Sequence, residues 1–182
     1  LGASQMPSVI LPRKAVGELR KLLDDYDGDV SVGLSETRAE FSFGVIRLTS
    51  KLIDGTFPDY TRVIPGGNDR IMQVDASSFS AAVDRVSTIS SEKSRSVKMG
   101  LKAGVLTLSA SNTDASSAME ELEVSYNGPE MDIGFNARYL LDIAGQVNND
   151  IVEFALADQG SPSLVRAPGD DASLFVLMPM RV

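Results

Sequence analysis

One pattern recurs three times along the chain and limits its architecture more than any other feature: a short apolar strand running directly into an amphipathic helix. The first copy is Ser8-Val-Ile-Leu-Pro12, leading into a helix over Arg13 to Leu23. The second is Ile71 to Val74, leading through Asp75-Ala-Ser-Ser78 into a helix over Phe79 to Ile89. The third is Met131 to Phe135, leading through Asn136 into a helix over Ala137 to Val147. The copies sit roughly 60 residues apart, from the Leu11 region to Val74 and on to Phe135, which is the mark of a repeated supersecondary unit. Helical spacing places Val16, Leu19, Leu22 and Leu23 on one face. The same holds for Phe79, Ala82, Val83 and Val86, and for Tyr139, Leu140, Ile143 and Val147. Ser77 or Ser78, and Asn136, are candidate N-caps, because their short side-chain oxygens can accept from the first free helical N–H groups.

Strand-rich sequence follows each helix. Alternation and β-branched or aromatic residues predict strands over Val30–Leu34, Arg38–Phe43 and Val45–Lys51. After the second helix come Ser96–Leu101, Val105–Ala110 and Glu120–Tyr126. After the third come Ile151–Ala157, Ser163–Arg166 and Leu174–Met178. Each unit therefore reads strand, helix, three strands, and the fold class is α+β with helices on one face of antiparallel sheets. Two such units would pack into a domain of about 120 residues, near the common size. Three is an odd number, so the first unit lacks a mate, and the chain is expected to be part of a longer protein.

Between the first unit and the other two lies Ser50-Lys-Leu-Ile-Asp-Gly-Thr-Phe-Pro-Asp-Tyr-Thr-Arg-Val-Ile-Pro65. Pro58 and Pro65 argue against a helix across it, and Asp54-Gly55 marks a turn. Phe57, Tyr60, Val63 and Ile64 make it too apolar for a free linker, so an ordered connector is expected. The chain ends on Leu174-Phe-Val-Leu-Met-Pro-Met-Arg-Val182, where most termini are polar and frayed. Pro179 has no N–H for a sheet ladder, so the tail beyond it is expected to lie along a surface. A terminal strand tucked into the core and a methionine-rich binding surface both satisfy this pattern.

Composition removes several kinds of chemistry. The 182 residues contain no cysteine and no histidine, so disulfides, thiolate nucleophiles, Ser-His-Asp triads and His-containing zinc sites are all impossible. The acidic run Asp24, Asp25, Asp27 and Asp29 lacks the distal glutamate of a calcium-binding helical loop. Gly66-Gly67 lacks the lysine and following helix of a phosphate loop, and Ser87–Ser96 offers no partner base. No catalytic residue, cofactor or metal is expected. No apolar run approaches the roughly 18 residues a membrane span needs, and no signal-peptide pattern opens the chain, so a cytoplasmic protein without a membrane partner is expected. The formal net charge of −8 argues against a chain that coats nucleic acid through excess positive charge. The cations nevertheless gather on and around the helices: Arg13, Lys14, Arg20 and Lys21 on the first, Arg85, Lys93 and Arg95 on or after the second, and Arg138 on the third. Such a distribution suits loose contact with a phosphate backbone or an ordinary solvated helix face.

The connector phrase KLIDGTFPDYTRVIP and the terminal phrase VLMPMRV resemble those of the β sliding clamp of bacterial DNA polymerase III, as do SVILPRKAVGELRKLL and EMDIGFNARYLLDIAGQV. The resemblance runs over nearly the whole chain. It implies a DNA-clamp fold, with residues 1–61 as the second half of the middle domain plus connector and 62–182 as the third domain. It implies a non-catalytic processivity factor, a homodimeric ring in the full-length protein that slides on duplex DNA. Its expected partners are the polymerase catalytic subunit, the clamp loader and other proteins carrying a clamp-binding motif. Position by position, the peptide groove would use Pro58, Arg62, Val63, Asn136, Tyr139, Val176, Leu177, Met178, Pro179, Met180 and Arg181. The helix cations named above would face DNA. The ring interface would use Thr88 and Ile89, with Asp114 and Glu120 nearby for charge pairing. A structural or oligomeric interaction module without sliding is the rival reading, and it gives no reason for the Met-Pro-Met tail.

Overall fold

Each repeat closes on itself in the same way, and that closure organises the computed structural model, which describes residues 6–90, 95–112, 116–147, 149–170 and 172–181. The chain divides into two compact units, Leu1–Asp59 and Tyr60–Val182.

In the first unit, α1 (Arg13–Leu23) starts after Pro12, whose fixed φ suits a helix start and whose missing N–H costs nothing there. Arg20 and Lys21 occupy its last turn, where they complement the negative end of the helix dipole. Half-buried Leu19 and Leu23 turn toward Ala39, Phe41 and Phe43 of a three-stranded antiparallel sheet. Its order is β1 (Ser31–Leu34), β2 (Arg38–Phe43), β3 (Ile46–Lys51). Tyr26 locks the corner: its hydroxyl accepts from Gly44 N–H at 3.2 Å, and its ring lies 5.4 Å from that of Phe43. The expected leading strand Ser8–Pro12 is reduced to one antiparallel bridge, Ile10 to Ile53, because no second strand lies along it.

The connector contains a single 3₁₀ turn, Tyr60–Val63. The prolines forbid a long helix, but the residues between them suffice for one tight turn.

In the second unit, β4 (Arg70–Asp75) feeds α2 (Ala76–Ser87) and β9 (Met131–Asn136) feeds α3 (Ala137–Ala144). The strands β5 (Ser96–Lys102), β6 (Val105–Ser111) and β7 (Ser117–Glu123) follow α2, with a short β8 (Ser125–Tyr126). The strands β10 (Ile151–Leu156), β11 (Ser163–Arg166) and β12 (Phe175–Leu177) follow α3. They form two sheets, β7-β6-β5-β9 and β12-β11-β10-β4-β8, with every pairing antiparallel. Alternate residues of both sheets meet the apolar faces of α2 and α3 in one core, where Phe79, Phe135, Phe154, Met72, Met99 and Leu140 are fully buried. Phe79 and Phe154 meet edge to face at 5.4 Å.

Helices α2 and α3 end at Ser87 and Ala144, short of the expected Ile89 and Val147, and three further details depart from the sequence-based expectations. Helix α2 begins at Ala76, capped by Asp75, whose carboxylate accepts from Ser78 N–H at 2.7 Å; Ser77 and Ser78 lie inside the first turn. An aspartate at the end of β4 outcompetes the serines because the strand already holds it in the extended backbone a cap requires. The expected strand Glu120–Tyr126 splits at Val124, because Val124 N–H bonds Gly104 O at 3.0 Å and the chain then crosses to the other sheet. The tail, finally, does rejoin a sheet. Beyond Pro179, Met180 N–H donates to Gly134 O at 2.8 Å and bridges β9.

Candidate functional site

The tail's side chains divide by the two-residue period of an extended strand. Phe175 and Leu177 face the core, and Leu177 is only 4% exposed. Its side chain is therefore a core anchor. Val176 and Met178 take the other face, and Met178 is 62% exposed, a large apolar side chain that the fold leaves in solvent. Val63, 58% exposed at the end of the 3₁₀ turn, and the exposed Arg62 beside it are presented by the connector's short helical turn. Pro58 is exposed too, within the other compact unit.

The bridge from Met180 to Gly134 carries the tail to the strand that feeds α3. Two residues on, Asn136 closes β9 and caps the helix, its Oδ1 accepting from Arg138 N–H at 2.9 Å. Its side chain is thus already engaged in holding the helix start. Tyr139 stands on the first turn of α3, 56% exposed. Pro179, Met180 and Arg181 line an open depression of about 680 Å³. Its other walls are Lys98, Asp132, Ile133, Gly134, Gln159 and Gly160, none of which sequence reasoning had singled out. Lys98 and Asp132 pair at 3.2 Å across neighbouring strands, a relation no local pattern reveals. The loop carrying Gln159 and Gly160 did leave a trace. Asp158 accepts from Gly160 N–H at 2.8 Å and Ser161 N–H at 2.7 Å, the turn an Asp-x-Gly-Ser sequence favours. These bonds, that from Gly160 first, hold its carboxyl below the usual range.

The described cations among those assigned to DNA are exposed, but they are not equally available. On α1, Arg13, Lys14, Arg20 and Lys21 all face solvent, and Lys21 pairs with Glu18 at 3.2 Å. Arg138 approaches Asp142 at 3.9 Å, one turn along α3. Arg85 makes a bidentate contact with Glu120 on the edge strand β7, so a residue assigned to DNA and one assigned to ring closure are bound to each other. Arg95 holds a left-handed backbone (φ 43°), and its carbonyl accepts from Ala137 N–H at 2.8 Å. Arg95, Arg138 and Thr88 line one small depression of about 370 Å³ between the end of α2 and the start of α3. Thr88 caps α2 through its hydroxyl, which donates to Arg85 O at 2.7 Å, and half-buried Ile89 follows. Lys93 and Asp114 lie outside the described residues, as does Val182.

Among the described residues no group of three or more acidic side chains is placed to hold a metal ion. No described helix is long and apolar enough to cross a membrane.

Comparison with known proteins gives a consistent picture. Residues 61–181 match the family described as DNA polymerase III beta subunit, C-terminal domain, and residues 2–59 match the central domain of the same subunit. The Beta sliding clamp of Caulobacter vibrioides is 50% identical over 181 residues, which cover 100% of this chain and 49% of that protein. The crystal structure of a Caulobacter crescentus beta sliding clamp superposes with a TM-score of 0.95 at 50% identity, over 100% of this chain and 49% of that one. A Bartonella birtlesii DnaN sliding clamp bound to griselimycin gives 0.94 at 54% identity, with coverage of 100% and 49%. The chain spans about half the length of the curated relatives it matches.

Proposed function

The chain belongs to the DNA polymerase III beta subunit family, and from that membership we propose that it works as part of a sliding clamp, a processivity factor that encircles duplex DNA and tethers its partners. It has the α+β clamp fold of that family. In this reading residues 1–61 supply the second half of the middle domain with its connector, and 62–182 the third domain. The activity is not catalytic and the location is the cytoplasm. A closed ring stays on DNA because it cannot leave sideways, so the helix cations need only weak, water-screened attraction to phosphates.

Partner capture is the second half of the proposal. The polymerase catalytic subunit, the clamp loader and other motif-bearing proteins would each insert a short peptide. Val63, Val176 and Met178 offer apolar surface for its anchor, while Arg62, Tyr139 and Arg181 hold its polar atoms. Pro179 and Met180 complete the walls, and Asn136 acts by fixing the start of α3. The observation that carries this reading is the division within the tail: Leu177 is buried at 4% while its neighbour Met178 is left 62% exposed. A strand that only completed a core would have no use for that methionine. In the whole protein, Thr88, Ile89 and Glu120, with Asp114, would meet the next protomer.

Fluorescence anisotropy with a labelled clamp-binding peptide tests the groove. Saturable binding that weakens about tenfold with Met178→Ala is the expected result. Binding indifferent to Met178→Ala would move the groove away from the tail.

A further inference from the structure

The same tyrosine turn occurs once in each compact unit, with a different residue at its tip. In the first, Tyr26 is followed by Asp27 and Gly28, and its hydroxyl donates to Asp29 O at 3.4 Å. In the second, Tyr126 is followed by Asn127 and Gly128, and its hydroxyl donates to Pro129 O at 2.7 Å. Each ring folds back over the glycine two residues on. A Cβ on Gly28 would lie 2.5 Å from the Tyr26 hydroxyl oxygen, and one on Gly128 2.6 Å from that of Tyr126. Tyr126 is 5% exposed within the core, so its ring has little room to yield and the turn demands glycine at 128.

That demand has a chemical consequence where the tip is asparagine, a thermolabile residue. With no side chain beside it, the Gly128 nitrogen is an unhindered nucleophile toward the Asn127 side-chain carbonyl. Asn127 is exposed, and among the described residues no hydrogen bond engages its amide or the Gly128 N–H. The other described asparagines are held. Asn68 donates to Ala155 O and Pro162 O, both at 2.9 Å, and Asn136 caps α3. Asn112 accepts from Ser116 N–H at 3.1 Å, and Asn149 from Ile151 N–H at 3.2 Å. None of these four precedes a glycine.

We propose that Asn127 is a site of spontaneous deamidation and isoaspartate formation in the folded protein. The Gly128 nitrogen attacks the Asn127 side-chain carbonyl carbon and closes a cyclic imide. The side-chain nitrogen leaves as ammonia, taking up the proton lost from Gly128. Solvent water then opens the imide, with no oxidant or reductant involved. Addition at the side-chain carbonyl yields aspartate on a normal backbone. Addition at the main-chain carbonyl breaks the original peptide link and leaves the chain running through the former side chain, one methylene longer. At the matching tip Asp27 is spared, because a carboxylate has no amide nitrogen to release. The two products differ in their effect. Aspartate places a negative charge in the depression of about 530 Å³ that Asn127 shares with Arg70, and leaves the backbone alone. Isoaspartate lengthens the chain inside the span that the Tyr126–Pro129 bond closes. Since Tyr126 pairs with Met72 of β4 in the core, that lesion reaches the packing.

Peptide mapping by mass spectrometry, on the 182-residue chain incubated at mildly alkaline pH and sampled over time, tests this. The expected result is exchange of NH2 for OH at Asn127 ahead of Asn68, Asn112, Asn136 and Asn149, with an isoaspartate fraction resolved by chromatography. The rate should lie within about tenfold of that in urea, since an exposed tip reacts without global unfolding. Asn127→Ser should abolish the product. The isolated isoaspartate form should melt below Asn127→Asp, which carries the same charge on a normal backbone. Conversion no faster than at the bonded asparagines, or a folded rate suppressed in step with global stability, overturns the proposal. So does an isoaspartate form as stable as Asn127→Asp.

Discussion

Arg85 and Glu120 lie 35 positions apart in sequence and form a two-pronged ion pair in space, Nε meeting one carboxylate oxygen at 3.1 Å and Nη2 the other. The pair fastens the polar side of α2 to the edge strand β7. The hydrogen bond with Arg85 holds the Glu120 carboxyl below its ordinary range, and its partner's guanidinium is raised in turn. Each shift favours the charged form, so the two groups hold each other as an ion pair.

Glu120→Gln should release Arg85 to DNA. The slope of log affinity against log salt for duplex DNA should steepen by about 0.9, the value of one additional phosphate contact. Arg85→Ala should leave the slope nearly unchanged, since the pair already occupies that cation. Filter binding across a salt series separates the two, and a slope in Glu120→Gln equal to that of the parent chain contradicts the account.

Leu177→Ala and Met178→Ala are adjacent and should behave oppositely. The first empties a fully enclosed site and should cost about 2–4 kcal/mol in urea denaturation. The second trims an exposed side chain, so stability should stay within about 0.5 kcal/mol while peptide affinity falls. Equal losses of stability would show that Met178 is packed.

Asn136→Ala removes the cap of a helix only eight residues long. A loss of about 1 kcal/mol in urea denaturation is expected, with Asn136→Asp restoring most of it. Peptide binding should fall only as far as the start of α3 loosens, so Asn136→Asp should rescue it as well. Anisotropy with Asn136→Asp that remains as weak as with Asn136→Ala would mean that Asn136 itself holds the peptide.

Glu153 sets part of the acid limit. It is 7% exposed in the middle of a sheet, where burial raises its pKa, yet hydrogen bonds from Gln73 and Arg166, both 2.9 Å, outweigh that and leave it lowered. A carboxyl depressed on folding stabilises the protein above its unfolded pKa of about 4.3 and loses that contribution as pH falls through the lower folded value. Melting temperature followed downward from pH 6 should drop through that window, and Glu153→Gln should flatten the drop. A parallel curve for the variant would assign the acid limit to other groups. Asp75, lowered by the Ser78 hydroxyl and N–H, contributes with the same sign.

The sequence by itself determined whatever depends on neighbours along the chain. Helix α1 occupies Arg13–Leu23 as the spacing of Val16, Leu19, Leu22 and Leu23 predicts, and strands β2 and β11 match their expected bounds. Asn136 caps α3 as expected, because a cap needs only a short side chain and two following residues. The family was legible as well, in long phrases standing in order. Tertiary structure decided the rest, since those relations join residues that no window contains. It sent Ser125–Tyr126 to the opposite sheet and returned the tail to Gly134. It also turned Leu177 inward, because the β11–β12 register sets which face of an apolar strand meets the core. Local conformational preference is written residue by residue, whereas strand partners and charge partners are chosen by where the core brings distant segments together.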